Sequence, residues 1–280
     1  MKEPDNSTSI FPSAAEDLDR ARKSRMDNPS YRLAYADNDF ILREDLRAVR
    51  LQLEWLKPDI VLEEYDIHST VVIFGGARFS DPGTKQAGNA PTLGGKDDGG
   101  PKGGLGNSRF YQEARRLAQK ITQLSIEHEG KEFVVVTGGG PGIMEAANRG
   151  ASDVGGRSIG LNIVLPYEQK PNPYITPDLC FQFHYFAVRK MHFLKRARGL
   201  VAFPGGFGTL DELFETLTLI QTRKIKPVPV ILVGIEYWKR LIDFDFLIEQ
   251  GAISSDDVKL IHWADSAEEA FEYLETCWNI

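Results

Sequence analysis

One stretch constrains this chain more than any other: Gly199-Leu-Val-Ala-Phe-Pro-Gly-Gly-Phe-Gly-Thr-Leu-Asp-Glu-Leu-Phe-Glu215. Leu200 to Phe203 is apolar at every position, the pattern of a short strand buried on both faces. Pro204 removes a backbone donor and ends that strand, and Gly205, Gly206 and Gly208 admit backbone conformations closed to other residues. A helix opening at Thr209 or Leu210 then carries Asp211 and Glu212 in its first turn. A strand, a glycine turn and a helix start present unpaired N–H groups to an anion, and phosphate is the usual guest. A carboxylate beside such a cradle repels phosphate, so Glu212 needs a reason to be there.

The remaining chain repeats the same unit. Thr70-Val-Val-Ile-Phe74 is a buried strand running into Gly75-Gly76-Ala77-Arg78. Phe133–Val136 is a second, followed by Thr137-Gly-Gly-Gly-Pro-Gly142 and a helix over Ile143–Ala151. Arg157–Val164, Phe181–Phe183 and Val228–Val233 read as further strands. Helices are expected over Arg109–Glu129, Ala187–Arg198, Tyr237–Gln250 and Ser266–Cys277. Alternation of this kind gives a parallel sheet with right-handed crossovers, an α/β, Rossmann-like, doubly wound fold over residues 66–280. Residues 1–65 form an N-terminal helical extension. It holds a short helix near Ala14–Lys23 and a helical pattern from Phe40 to Tyr65 that Pro58 should break. Leu42, Leu46, Val49, Leu53 and Leu56 fall on one face of that pattern, the side expected to pack. Residues 79–108 are crowded with Gly, Asp, Lys and Pro and read as a surface insertion, with a lid as the functional alternative.

Composition sets the outer limits. A formal charge of −7 argues against a general nucleic-acid or anionic-membrane binder. Cys180 and Cys277 form no CxxC pair, and the N-terminal residues lack a signal peptide's apolar core, so the expectation is a cytoplasmic protein. No apolar run approaches the roughly 20 residues of a membrane span.

Several chemistries lose their support. GxGxxG does not follow the first strand, no GxxxxGK[ST] occurs, and no GxSxG marks a serine nucleophile. His68, His128, His184, His192 and His262 show no metal-ligand spacing, so neither a metal nor a cofactor is expected. What remains is a set of glycine turns, a carboxylate and a cation cluster. Arg189 and Lys190 stand at a helix start near the carboxyl edge of the sheet, whereas Lys195, Arg196 and Arg198 read as a solvated surface. Arg189 would neutralise the repulsion that Glu212 creates; a plain salt bridge between helices accounts for it equally well.

Pro204-Gly-Gly-Phe-Gly-Thr-Leu-Asp-Glu212 resembles the PGGxGTxxE signature of the Lonely Guy family, the cytokinin riboside 5′-monophosphate phosphoribohydrolases. Arg189-Lys190 stands at the family's usual distance before it, and Thr137–Ala146 is similar to the family's other glycine segment. The resemblance covers roughly residues 70 to 250. Such proteins have been labelled lysine decarboxylases, but nothing here resembles a pyridoxal-phosphate lysine motif. Short members carry Met-His-x-Arg-Lys; here Phe186-Ala-Val-Arg-Lys190 precedes Met191-His192. With the N-terminal helices and the insertion, this resembles the longer subgroup of purine or pyrimidine nucleotide nucleosidases.

The resemblance implies hydrolysis of the N-glycosidic bond of a nucleoside 5′-monophosphate, AMP first, by a homodimer with its site near the subunit interface. Glu212 and Arg189 become the catalytic pair, with Arg189 holding Glu212 ionised. Gly205, Gly206, Gly208 and Thr209 would hold the 5′-phosphate, and Lys190 and Phe207 join them as substrate-binding residues. Gly139, Gly140 and Met144 would wall the ribose and base, and Gly75, Gly76 and Arg78 extend the site. Asp211 is left as a favourable first-turn charge pointing elsewhere. The rivals are a carrier of the same fold that binds a nucleotide or the molybdenum cofactor without turnover, and a Rossmann oxidoreductase that binds NAD.

Overall fold

The computed structural model describes residues 11–23, 28–79, 81, 105–166 and 170–280. The chain divides into two compact units, Met1–Ile60 and Val61–Ile280. In the first, α1 (Ala14–Lys23) and the single turn α2 (Asn38–Ile41) precede α3 (Arg47–Glu64). The Asp37 side chain caps α2 by accepting from the N–H groups of Asp39 and Phe40. Three expectations fail here. The long helix starts at Arg47 rather than Phe40, because Glu44–Leu46 takes a tighter 3-10 turn. It also runs through Pro58: a proline forfeits one helical hydrogen bond, and the turns on either side carry the helix past it. Finally Leu42, Val49, Leu53 and Leu56 are exposed rather than packed.

The second unit runs β1 (Thr70–Phe74), α4 (Leu105–Glu127), β2 (Val134–Thr137), α5 (Ile143–Asp153), β3 (Ser158–Ile163), β4 (Cys180–Phe183), α6 (Phe186–Lys195), β5 (Ala197–Ala202), α7 (Phe207–Gln221), β6 (Val230–Val233), α8 (Ile235–Leu241), α9 (Phe244–Glu249), α10 (Ser255–Val258), β7 (Ile261–Ala264) and α11 (Ala267–Trp278). Its strands make one seven-stranded sheet in the order β4-β3-β2-β1-β5-β6-β7. Every neighbouring pair is parallel. This is an α/β, Rossmann-like fold.

Alternation along each strand sends side chains to opposite faces. Val71, Ile73, Val135, Val201, Ile231 and Val233 share one core with Leu117 and Ile121 of α4, Ile143 and Ala147 of α5, and Ala270 and Leu274 of α11. Phe74 points the other way and meets Phe193 of α6 edge-on, ring centroids 4.8 Å apart. The order of growth reverses between β1 and β5, so their carboxyl ends flank the crevice where such folds bind ligands.

Three elements differ from the sequence reading. Strand β7 was not expected, because Ile261-His-Trp-Ala264 is short, half-polar and paired only with β6. The single helix expected over Tyr237–Gln250 is two, since the Asp243 carboxylate accepts the Phe246 N–H and starts α9 afresh. Helix α4 begins at Leu105, inside the expected insertion. The rest of that insertion, residue 80 and residues 82–104, lies outside the described residues, and so does its expected role as a lid. Among the described residues, no helix is long and apolar enough to cross a membrane.

Candidate active site

The chain leaves β5 through Phe203 and Pro204 while still stitched to β1. Phe203 N–H donates to the Phe74 carbonyl at 2.8 Å, and Gly76 N–H donates to the Pro204 carbonyl at 2.9 Å. A side chain at Gly205 would collide with the Thr209 hydroxyl, so this glycine lets the turn close onto its own helix. The Tyr237 hydroxyl of α8 donates to the Gly205 carbonyl at 2.7 Å and fixes that peptide. Gly206 is the N-cap of α7, and no side chain caps the helix. The first helical bond runs from Leu210 N–H to the Gly206 carbonyl at 3.1 Å, leaving the N–H groups of Phe207, Gly208 and Thr209 ahead of the ladder. A Cβ added at Gly206 or Gly208 would meet nothing within 4 Å. Internal packing therefore does not require these two glycines; they keep the mouth of the cradle open. Thr209 is buried beneath it, and Phe207 stands 92% exposed on its rim.

Glu212 lies one turn into α7 and is only 6% exposed. Burial pushes its carboxyl up to about 7, against the pull of Lys190 and then Arg189, while Glu215 and Asp211 add to the rise. Lys190 of α6 brackets it: the ammonium lies 3.0 Å from Asp211 Oδ2 and 3.0 Å from Glu215 Oε2. Burial pulls Lys190 down, but the hydrogen bonds to those two carboxylates outweigh it and leave the ammonium above its ordinary value.

Arg189 reaches the site from the same helix. Its Nε donates to the Leu161 carbonyl of β3 at 2.7 Å, and its guanidinium lies 5.0 Å from the centroid of the Phe193 ring. Burial lowers its pKa, partly offset by the charge of Glu212. A Cβ added at Gly138 would fall 2.7 Å from Arg189 Nη2 and 2.9 Å from Met144 Sδ, so the guanidinium and the thioether converge over that glycine.

The turn after β2 is built differently. Thr137 Oγ1 donates to Asn148 Oδ1 at 2.7 Å and accepts from Gly139 N–H at 3.0 Å. Asn172 Nδ2 donates to the carbonyls of Gly139 at 3.2 Å and Gly140 at 3.1 Å, and to Asn148 Oδ1 at 2.9 Å. Gly139 sits at φ +74°, and a side chain there would run into Asn162. Gly142, at φ +75°, passes against the Gly76 carbonyl and opens α5.

Sequence comparison gives this geometry a context. A family model described as possible lysine decarboxylase matches residues 144–274, a span holding Arg189, the cradle and Glu212. The cytokinin riboside 5′-monophosphate phosphoribohydrolase LOG1 of Arabidopsis thaliana is 32% identical over 176 residues, covering 61% of this chain and 78% of that protein. Its counterpart LOG4 from the same plant is 31% identical over 193 residues, covering 62% and 85%. The chain belongs to the Lonely Guy family. Among solved structures, the molybdenum cofactor carrier protein of Chlamydomonas reinhardtii is similar at 19% identity and a TM-score of 0.47, covering 76% of this chain and 99% of that one.

In this Lonely Guy chain, the residues singled out from sequence fall into three groups. Gly205, Gly206, Phe207, Gly208, Thr209 and Glu212 form one continuous cradle and helix start, and Arg189 and Met144 meet over Gly138. Gly75 and Gly76 are structural fasteners: a side chain at Gly75 would lie 2.5 Å from Ile143, and Gly76 spends its N–H on Pro204. Gly139 and Gly140 have their carbonyls taken by Asn172. Arg78 is exposed beyond the end of β1.

Two expectations are corrected. Arg189 favours the ionised form of Glu212 but does not prevail: no ion pair joins them among the described residues, and burial outweighs the pull of both nearby cations. Asp211 does not point away, since it binds Lys190. Sequence reasoning missed Tyr237, Asn148 and Asn172 altogether. Nothing in their local patterns marks them: Asn172 and Tyr237 act on turns about thirty residues away, and Asn148 acts through a helix face that only the fold turns toward Thr137.

Proposed function

We propose that this protein hydrolyses the N-glycosidic bond of a nucleoside 5′-monophosphate, AMP first, releasing the free base and ribose 5-phosphate. The observation that carries the reading is a buried carboxylate, Glu212, with its pKa raised to about 7, one turn inside an uncapped helix start whose glycines face open space. A general base is most effective when its pKa lies near the working pH. In the reaction, a water oxygen bonds to C1′ as Glu212 accepts the water's proton, and the C1′–N bond breaks with its electron pair leaving on the base, which then takes up a proton, in balance with the one that Glu212 gives back, to depart as the neutral free base. Positive charge on the ribose at the transition state also favours a carboxylate nearby.

In this reading the N–H groups of Gly206, Phe207, Gly208 and Thr209 and the Thr209 hydroxyl hold the 5′-phosphate. Arg189 contacts ribose or phosphate oxygens, and Met144 lines the base side. Arg78 is the remaining phosphate candidate at the mouth. The relatives named above, phosphoribohydrolases of cytokinin riboside 5′-monophosphates, support the reaction class. The Phe186-Ala-Val-Arg-Lys190 departure supports a broader purine substrate than a cytokinin. Residues 66–280 serve as the catalytic domain and residues 1–65 as its helical extension. A homodimer is part of the same proposal, supported by exposed Phe186 and Met191 on α6 and Phe207 and Phe214 on α7, beside the site. Two free cysteines support a reducing, cytoplasmic setting.

The test is to incubate the protein with AMP and quantify adenine and ribose 5-phosphate, alongside Glu212→Ala and Arg189→Ala. Wild-type release that falls by about 10²–10⁴ in Glu212→Ala is expected. Undiminished release in that variant refutes the mechanism. Tight AMP binding without release would make the protein a carrier.

A further inference from the structure

We propose that Lys190 is a positioning residue: by binding Asp211 and Glu215 it offsets their negative charge at Glu212, and so holds the base in its working state. Asp211 and Glu215 stand four residues apart on α7, on one face of the helix, with Glu212 between them in sequence. A single ammonium from α6 lies 3.0 Å from each of them, and the Lys190 side chain is only 16% exposed. One ammonium thus forms an ion pair with each of these carboxylates. Lys190 is thus engaged with the helix rather than held out as a phosphate ligand.

The charged groups acting on Glu212 are Lys190 and Arg189 from α6, and Glu215 and Asp211 from its own helix. Arg189 is anchored to Leu161, so it stays in place when Lys190 is removed. Loss of Lys190 withdraws one cation and leaves two anions uncompensated, and both changes favour the protonated, inactive carboxyl. The consequence for turnover rests on the reading of Glu212 as the base; the titration of Glu212 does not.

Carboxyl ¹³C NMR of the full chain, with the Glu212 signal assigned through Glu212→Gln, tests this directly. The midpoint should rise by about one pH unit in Lys190→Met, stay near wild type in Lys190→Arg, and return toward wild type in Lys190→Met/Asp211→Asn/Glu215→Gln. The acid limb of kcat/KM for AMP should move with it, while KM at high pH changes less than about threefold. An unmoved Glu212 midpoint in folded Lys190→Met overturns the proposal, as does a KM increase of about tenfold or more with a fixed acid limb, the behaviour of a direct phosphate ligand. Should Lys190→Met fail to fold, Asp211→Asn/Glu215→Gln must lower the midpoint, and no change there overturns the proposal equally. If AMP proves not to be a substrate, the NMR titration still decides the role of Lys190.

Discussion

The two glycine turns, Thr137–Gly142 after β2 and Pro204–Thr209 after β5, look alike in sequence and are opposite in physics. The first is closed. Its carbonyls are taken by Asn172, its Gly139 N–H by Thr137, and Gly139 holds a left-handed conformation against Asn162. The second is open. Only Gly205 is demanded by contact with its own helix, whereas Gly206 and Gly208 border empty space and the helix behind them is uncapped. A glycine run therefore does not mean ligand binding in itself. The first turn is scaffold beside the place where Arg189 and Met144 meet, and the second is the one proposed to receive the anion.

Substitutions in the two turns should separate accordingly. Gly139→Ala must force an L side chain into φ +74° and against Asn162, which should cost about 2–4 kcal/mol of stability in denaturant unfolding. A variant of wild-type stability would break the comparison. Asn172→Leu leaves the Gly139 and Gly140 carbonyls without their side-chain donor and should cost about 2–3 kcal/mol by the same measurement.

Gly206→Ala should behave in the opposite manner. Stability should stay within about 1 kcal/mol of wild type, while KM for AMP rises about tenfold, equivalent to about 1.4 kcal/mol, as the methyl group crowds the phosphate. An unchanged KM would mean that the phosphate sits elsewhere. Tyr237→Phe, which deletes only the bond to the Gly205 carbonyl, should have the smallest effect, about 0.5–1.5 kcal/mol of stability. Its loss of affinity for AMP should exceed its loss for adenosine, because the carbonyl it holds belongs to the turn proposed to bind the phosphate.

The same contrast explains what could be read from sequence. Strands β1, β2 and β6 were plain because a central parallel strand is buried on both faces and so is apolar throughout. Strand β7 was hidden because an edge strand with His262 and Trp263 half-exposed loses that pattern. The open cradle was legible because its parts, Pro204 to Glu212, are contiguous and its chemistry is local. The closed turn was legible as glycines but not as scaffold, since Asn148 meets it only once α5 folds back beside it and Asn172 reaches it from a later loop. Glu212 is legible in the sequence as a carboxylate at a helix start, but the burial that raises its pKa is not. Counting charges suggested that a neighbouring arginine would dominate, whereas the cost of burying the carboxylate is the larger effect. The pairing of Lys190 with Asp211 and Glu215 is hidden for a related reason, because the two acids lie on the next helix and only the fold brings them to it.

The most direct test of the central claim is the pH dependence of kcat/KM for AMP. A base that must be ionised, with its pKa raised to about 7 by burial, predicts a rate that climbs tenfold per pH unit below 7 and levels off above it. A rate that stays flat down to pH values near the ordinary carboxylate range of about 4 to 5 would contradict Glu212 as the buried base.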